Sequence, residues 1–119
     1  MKDVNILKNN GVNLDVSLDI LGDMDMYNET LEDFLNEIDS KKENLTVYKL
    51  AQDMPNYAIY AHSIKSDAKY LGFTKLAEIA FNHEIKAKEN DFNYVIDNFD
   101  AFIEEIDHII NLVKKYLDD

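Results

Sequence analysis

The sequence predicts an all-α protein, an antiparallel up-down four-helix bundle with a short extra N-terminal helix. Apolar residues recur at spacings of three, four and seven along most of the chain, and no segment has the alternation of a strand. Only three glycines and one proline are present, too few for a turn-rich β architecture. With 119 residues, 46% of them hydrophobic, residues 1–119 should form a single domain around one core.

The N-terminal part of the chain is predicted to contain little regular structure. Residues 1–14 are rich in asparagine, and we expect them to form a loose arm. A short helix from about Asp15 to Leu21 should follow. It should end at Gly22, because glycine is favoured just beyond the end of a helix.

Two longer helices are predicted next. The first should run from about Met24 to Leu50, and an interruption of its apolar stripe allows a bend or break between Ser40 and Asn44. The second should begin at Asp53, whose side chain can cap it, and end before Gly72. Pro55 would then lie in the first turn, where a missing N–H is tolerated.

Two further helices complete the predicted bundle. One should run from about Thr74 to Lys88 with Thr74 as its cap, and Asn90 and Asp91 should separate it from the last helix. The connections are short, so neighbouring helices should be antiparallel. The last helix has the strongest apolar stripe, formed by Phe92, Val95, Ile96, Phe99, Phe102, Ile103, Ile106, Ile109, Ile110, Val113 and Leu117.

Charge and composition exclude several classes of function. The formal net charge is −12 and all twelve basic residues are lysines, so nucleic acid is not an expected partner. Cysteine is absent, which excludes disulfides, thiolate metal sites and cysteine catalysis. No apolar run approaches the length needed to span a bilayer, and the N-terminus lacks a signal-peptide pattern. We therefore expect no membrane association and a cytoplasmic location.

The three histidines fall on different sides of their predicted helices. His62 points away from the apolar side of its helix and should face solvent. His83 lies on the apolar side and is interpreted as a core or boundary residue with a hydrogen-bond partner. His108 faces away from the last stripe and is interpreted as an ordinary surface residue. His62 is therefore the candidate for chemistry.

The side chains predicted to surround His62 include two lysines, no carboxylate and several small residues. Such a neighbourhood is unusual in so acidic a chain. Its members on the same helix are Ala58, Ile59, Lys65, Ser66 and Lys69. Small side chains one turn before and one turn after His62 would let a second protein approach the imidazole. Ala58 and Ile59 are expected to offer an apolar patch that this partner could cover.

The segment His62–Gly72 resembles the signature of histidine-containing phosphotransfer (HPt) domains. The family has a His, an aliphatic residue two positions on, a Lys three on, a small residue six on and a Gly ten on. Ser66 stands where the family usually has Gly, which keeps most of the clearance. The matching residues, with those along which the similarity continues, are Ile64, Lys65, Ala68, Gly72, Leu76, Ala77, Ala80 and Glu84.

This resemblance implies a phosphoryl carrier. His62 would accept the phosphoryl group, Lys65 and Lys69 would assist electrostatically, and Ser66 would give clearance and could donate a hydrogen bond. The implied partners are receiver domains of response regulators, and a hybrid sensor kinase that contains one. The aspartate nucleophile and Mg²⁺ would belong to the receiver, and no cofactor is expected on this chain. A Gly-rich phosphate loop is absent, so self-phosphorylation is not expected. A monomer is expected.

The sequence leaves two other functions open. A non-catalytic interaction module would keep the fold and have lost transfer. A di-metal helical bundle would need paired Glu-x-x-His elements pointing inward. The sequence has one such element, Glu105 to His108, and His108 is predicted to point outward. The metal reading is therefore the weaker of the two.

Overall fold

Six α-helices make up most of the computed structural model, which describes residues 2–118. They are α1 (Val4–Lys8), α2 (Leu14–Leu21), α3 (Met24–Leu50), α4 (Met54–Leu71), α5 (Thr74–Lys88) and α6 (Phe92–Asp118). Between residues 2 and 118 there is no β-strand, and a single isolated bridge joins Val12 to Phe73. The predicted all-α class is confirmed.

Aspartate side chains cap four of these helices. Asp3 accepts from the Asn5 N–H at 2.9 Å at the start of α1. Asp23 accepts from the Met26 N–H at 2.9 Å at the start of α3, and Asp53 accepts from the Asn56 N–H at 3.2 Å at the start of α4. Asp91 accepts a corresponding bond in the first turn of α6. Each carboxylate satisfies a backbone donor that the helix itself cannot pair. The predicted start of α4 at Asp53 is thereby explained.

Helix α3 is continuous over 27 residues, without the break that the sequence allowed. The interruption of its apolar stripe contains Lys41 and Lys42, and both make contacts between helices. Lys41 pairs with Asp67 of α4 and Lys42 with Asp107 of α6, each at 2.6 Å. The polar gap in the stripe is therefore a place where ion pairs join α3 to its neighbours.

The expected cap of α5 was wrong. Thr74 is the first helical residue, Phe73 occupies the cap position, and no side chain caps the helix. Phe73 is buried and its ring packs edge-on against Phe34 with centroids 5.6 Å apart. Burial of an aromatic ring contributes more than a capping bond, so packing fixes the chain at this corner.

The expected loose arm over residues 1–14 was also wrong for the part of it that the structure describes. Residues 4–8 form helix α1, which packs on α6, and Leu7 is fully buried. Val12 is buried too, beside Phe73. These apolar residues are too few to form a helical pattern in sequence, so only their tertiary contacts reveal the helix. Residue 1 lies outside the described residues.

The four long helices contact one another in a ring. Helix α3 contacts α4, α4 contacts α5, α5 contacts α6, and α6 contacts α3. The short helix α2 lies against α3 and α4. One continuous cluster of buried side chains fills the space between them. None of the described helices combines the length and hydropathy needed to cross a bilayer.

Gly72 joins α4 to the N-terminal part of the chain. Its φ is +80°, and its carbonyl accepts from the Asn13 N–H at 2.9 Å. A Cβ on Gly72 would lie 2.5 Å from the Asn13 carbonyl oxygen and 2.9 Å from the Ser17 hydroxyl. Glycine is needed here both for the left-handed backbone and for the close approach of α2.

Replacing Gly72 with alanine should lower the free energy of unfolding by about 3 kcal/mol, because conformational strain and a backbone clash add together. Gly11 is the matched control, since its φ is +84° but nothing lies within 4 Å of an added Cβ. Gly11→Ala should cost only about 1 kcal/mol. Urea denaturation followed by circular dichroism measures both losses. Equal losses would contradict the role given to close approach.

His83 lies inside the core, as its place on the apolar side of α5 predicts. Its Nδ1 is 2.9 Å from the Tyr57 hydroxyl, and the Phe102 ring centroid lies 4.5 Å from that of the imidazole. Burial lowers the pKa of His83 from 6.5 to about 4, and the backbone of Asn98 opposes this only in part. His83 is therefore neutral at pH 7, and its Nδ1 shares a hydrogen bond with the Tyr57 hydroxyl. It is structural.

The depressed pKa of His83 predicts a loss of stability in mild acid. The unfolded chain binds a proton near pH 6.5 and the folded chain near pH 4, so stability falls as the pH is lowered through this window. We expect about 2 kcal/mol less unfolding free energy at pH 5 than at pH 7 from this group. His83→Gln should remove the dependence, measured by urea denaturation at both pH values.

The exposed His108 supplies the control for this experiment. His108→Gln should keep the wild-type difference between pH 7 and pH 5. A difference that survives in the His83 variant would show that another group is responsible.

Candidate functional site

His62 lies near the middle of α4 with its side chain 55% exposed. The buried side of α4 is formed by Ala61, Ile64 and Ala68, which pack into the core. The imidazole consequently faces away from the core, in the direction that the helical pattern predicts. Its surroundings, however, come from α5 as well as from α4.

Glu84 of α5 is the main contact of His62. Its Oε2 lies 2.9 Å from His62 Nδ1, and its side chain is only 4% exposed. The same oxygen accepts from Lys88 Nζ at 2.7 Å, and Oε1 lies 2.9 Å from Lys65 Nζ. One buried carboxylate thus contacts His62 and two lysines. The Lys65 contact is an ion pair.

The Glu84 carboxyl is held in its charged form. Burial alone raises its pKa, because the charged form loses solvation. The contacts from Lys88, Lys65 and His62 outweigh burial and lower the pKa of this carboxyl from 4.5 to about 2. A carboxylate has no proton to donate, so the proton between it and the imidazole is on His62 Nδ1.

This arrangement defines the state of the imidazole. With Nδ1 donating to Glu84, a neutral ring carries its free lone pair on Nε2. The exposed ring can present that nitrogen to a molecule in solution. Chemically, this arrangement can supply an oriented nitrogen nucleophile, with positive charge nearby and a carboxylate that can stabilise a cationic ring.

Lys65 and Lys69 have different surroundings. Lys65 is 16% exposed, ion-paired with Glu84, and its Nζ lies 5.2 Å from the ring centroid of Phe81. Lys69 is exposed and makes no ion pair within residues 2–118; with Ala77 it lines shallow surface grooves further along α4. The structure therefore brings Lys65 to the His62 site, while Lys69 lies two turns away from His62.

Ser66 is partly buried, and its hydroxyl makes no hydrogen bond with another residue in the described part of the chain. It is small and lies one turn after His62 on the same helix. These facts agree with a residue that leaves space beside the imidazole.

The expected apolar patch of Ala58 and Ile59 is only half present. Ala58 is 4% exposed and belongs to the core, so it offers almost no surface to a partner. Ile59 is exposed, and both line an open groove of about 630 Å³ between α4 and α5. The wall of this groove also contains Pro55, His62, Lys88 and Asn90. The apolar surface beside His62 is thus a groove with Ile59 at its edge.

Two residues of the site, Glu84 and Lys88, were missed as functional candidates by sequence reasoning. The sequence pattern identified Glu84 only as part of the HPt similarity. It identified Lys88 only as the end of a predicted helix. A signal was present: Glu84 lies beside His83 and one turn before Ala87 on the buried side of α5, where a carboxylate needs partners. Its partner Lys88 follows four positions later.

No group of three or more potential metal ligands occurs among residues 2–118. Of the predicted Glu-x-x-His element, Glu105 is buried and His108 is exposed, so the two side chains face different surroundings. Glu105 instead lies 3.8 Å from Lys75. The arrangement gives no support to a di-metal site.

Comparison with known proteins adds no family to this description. No family model, no curated protein and no solved structure matches the chain.

The free energy of unfolding of two variants can distinguish the roles of Lys65 and Lys69. Lys65→Met keeps an unbranched side chain at this position and removes the charge beside Glu84 and Phe81, so we expect a loss of about 1–2 kcal/mol of unfolding free energy. Lys69→Met is the matched control and should change the value by less than about 0.5 kcal/mol. Urea denaturation at pH 7 measures both. A loss in the Lys69 variant as large as in the Lys65 variant would contradict this assignment.

Proposed function

We propose that this protein is a histidine phosphotransfer domain of a two-component phosphorelay, with His62 as the phosphoacceptor. The observation that carries the proposal is the exposed imidazole whose Nδ1 is held by the buried Glu84 carboxylate, leaving Nε2 available. The resemblance of the His62–Gly72 segment to the HPt signature supports the same assignment.

The proposed reaction is a reversible transfer between two proteins. The Nε2 lone pair attacks the phosphorus of an aspartyl phosphate on a receiver domain, the P–O bond to the aspartate breaks, and the carboxylate leaves. The imidazole then carries the phosphoryl group and a positive charge, with its Nδ1–H still donated to Glu84. In the second step a carboxylate of another receiver attacks the phosphorus and the N–P bond breaks, which restores neutral His62.

Each neighbour of His62 has a physical role in this proposal. Glu84 orients the ring and stabilises its cationic form by charge-assisted hydrogen bonding. Lys65 contributes positive charge near the phosphoryl oxygens and neutralises Glu84, while Lys69 assists docking at longer range. Ser66 and Ile59 flank the path along which a receiver would approach.

The proposed architecture is an antiparallel up-down four-helix bundle of α3, α4, α5 and α6, with α1 and α2 as additions. The ring of contacts among these four helices supports it, as do connections of only three, two and three residues. The site lies on α4 and α5, two consecutive helices of the proposed bundle.

The proposed partners are receiver domains, including one carried by a hybrid sensor kinase. The receiver would supply the aspartate and Mg²⁺, and this chain would need no cofactor or ATP site of its own. The proposal further takes the protein to be a cytoplasmic monomer without a nucleic-acid or membrane partner. The net charge of −12 and the absence of arginine support the statement on nucleic acid.

Replacing His62 with glutamine tests the proposal directly. We expect the variant to take up no acid-labile phosphoryl label from phosphorylated receiver domains of the source organism, because Gln has no nucleophilic nitrogen. Its far-UV circular dichroism spectrum should match wild type, since His62 is not part of the core. Label on the unaltered chain, measured after brief incubation, sets the reference.

His108→Gln is the control for removal of an exposed histidine and should label like wild type. Label retained in the His62 variant would refute the assignment. Absence of label on the unaltered chain, with receivers still bound, would favour the non-catalytic interaction module.

A further inference from the structure

Lys88 contacts the same oxygen of Glu84 that holds His62. Its Nζ is 2.7 Å from Oε2, and His62 Nδ1 is 2.9 Å from that atom. Both groups draw on the negative charge of one carboxylate oxygen. The hydrogen bond between Glu84 and His62 is therefore weaker when the Lys88 ammonium group neutralises part of the charge on Oε2.

The two lysines of the site are not equivalent. Lys65 contacts Oε1, the oxygen that His62 does not use, and is held by Phe81 with little exposure. Lys88 contacts Oε2 and its side chain is 65% exposed. Lys88 can therefore leave the carboxylate without disturbing the core, whereas Lys65 is part of the packed interface between α4 and α5.

We propose that Lys88 is a positioning residue that keeps the His62 ring neutral and reactive at Nε2 by sharing Oε2 of Glu84. With Lys88 bound, the carboxylate stabilises a cationic imidazole less, and the lysine charge itself opposes protonation of the ring. Loss of the Lys88 charge should therefore favour protonation of the ring over a free lone pair on Nε2. The consequence for phosphoryl transfer rests on the proposed function, but the sharing of the carboxylate does not.

The charged groups around His62 can be accounted for element by element. Helix α5 contributes Glu84 and Lys88, and α4 itself contributes Lys65. From α3, Lys41 reaches α4 but pairs there with Asp67. Among the described residues, α2 brings no charged group into contact with His62. Lys88 is thus the exposed charge on the carboxylate that orients the ring.

Diethyl pyrocarbonate provides a test that needs no phosphoryl donor. A neutral imidazole nitrogen attacks a carbonyl carbon of the reagent, and ethanol and carbon dioxide leave. Mass spectrometry of the peptide containing His62 gives its rate of modification at each pH, with the exposed His108 as a reference in the same sample. In the unaltered chain the His62 rate should rise with pH, because only the unprotonated ring nitrogen attacks the reagent.

Lys88→Gln should move the midpoint of this pH profile upward by about half a pH unit, so that His62 reacts about threefold more slowly on the acid side. Lys88→Arg keeps the positive charge, so its pH profile should match that of the unaltered chain. Lys86→Gln removes a lysine from the same helix that does not contact Glu84, and it should leave the profile unchanged. Circular dichroism confirms that each variant is folded.

The Glu84→Gln background shows whether Lys88 acts through the carboxylate. In that background, Lys88→Gln should shift the midpoint by less than half as much as in the unaltered chain. An unchanged midpoint in Lys88→Gln alone, an equal shift in Lys86→Gln, or an undiminished shift in the Glu84→Gln background would overturn the proposal. So would a His62 that does not react in the unaltered chain. None of these outcomes depends on whether the protein carries phosphate.

Discussion

The buried carboxylate of Glu84 is the interaction on which the site depends. An unpaired charge in that position would strongly destabilise the fold, so the groups around it must compensate. Lys65, Lys88 and His62 do so from two different helices. The same contacts that make the carboxylate tolerable between α4 and α5 also fix the proton on His62 Nδ1. Stability of the helix pair and orientation of the imidazole thus have one cause.

Features that depend on apolar periodicity and helix caps could be predicted from the sequence. Features that depend on contacts between helices could not. The long helices and the exposure of His62 follow from apolar periodicity and caps such as Asp53. Helix α1 was missed because its few apolar residues become meaningful only when Leu7 is buried against other helices. The Glu84 contact could not be derived from periodicity, since it requires knowing how α5 is rotated against α4. Ala58 was misplaced for the same reason.

The rotation of α5 against α4 also determines what a partner would meet. It buries Ala58, leaves Ile59 exposed, and opens the groove that Lys88 and His62 share. Gly72 contributes at the other end of α4, where the absence of a side chain lets the backbone of Asn13 approach. The surface around His62 is therefore a product of the packing of α5 on α4.

The proton position on His62 is the most direct test of this account. Long-range proton–nitrogen correlation spectra of the ¹⁵N-labelled protein at pH 8 distinguish a protonated ring nitrogen from one with a free lone pair. The account predicts that His62 carries its proton on Nδ1 and that Nε2 has the free lone pair. A neutral ring protonated on Nε2 would contradict it, because the nitrogen assigned to attack would then be blocked.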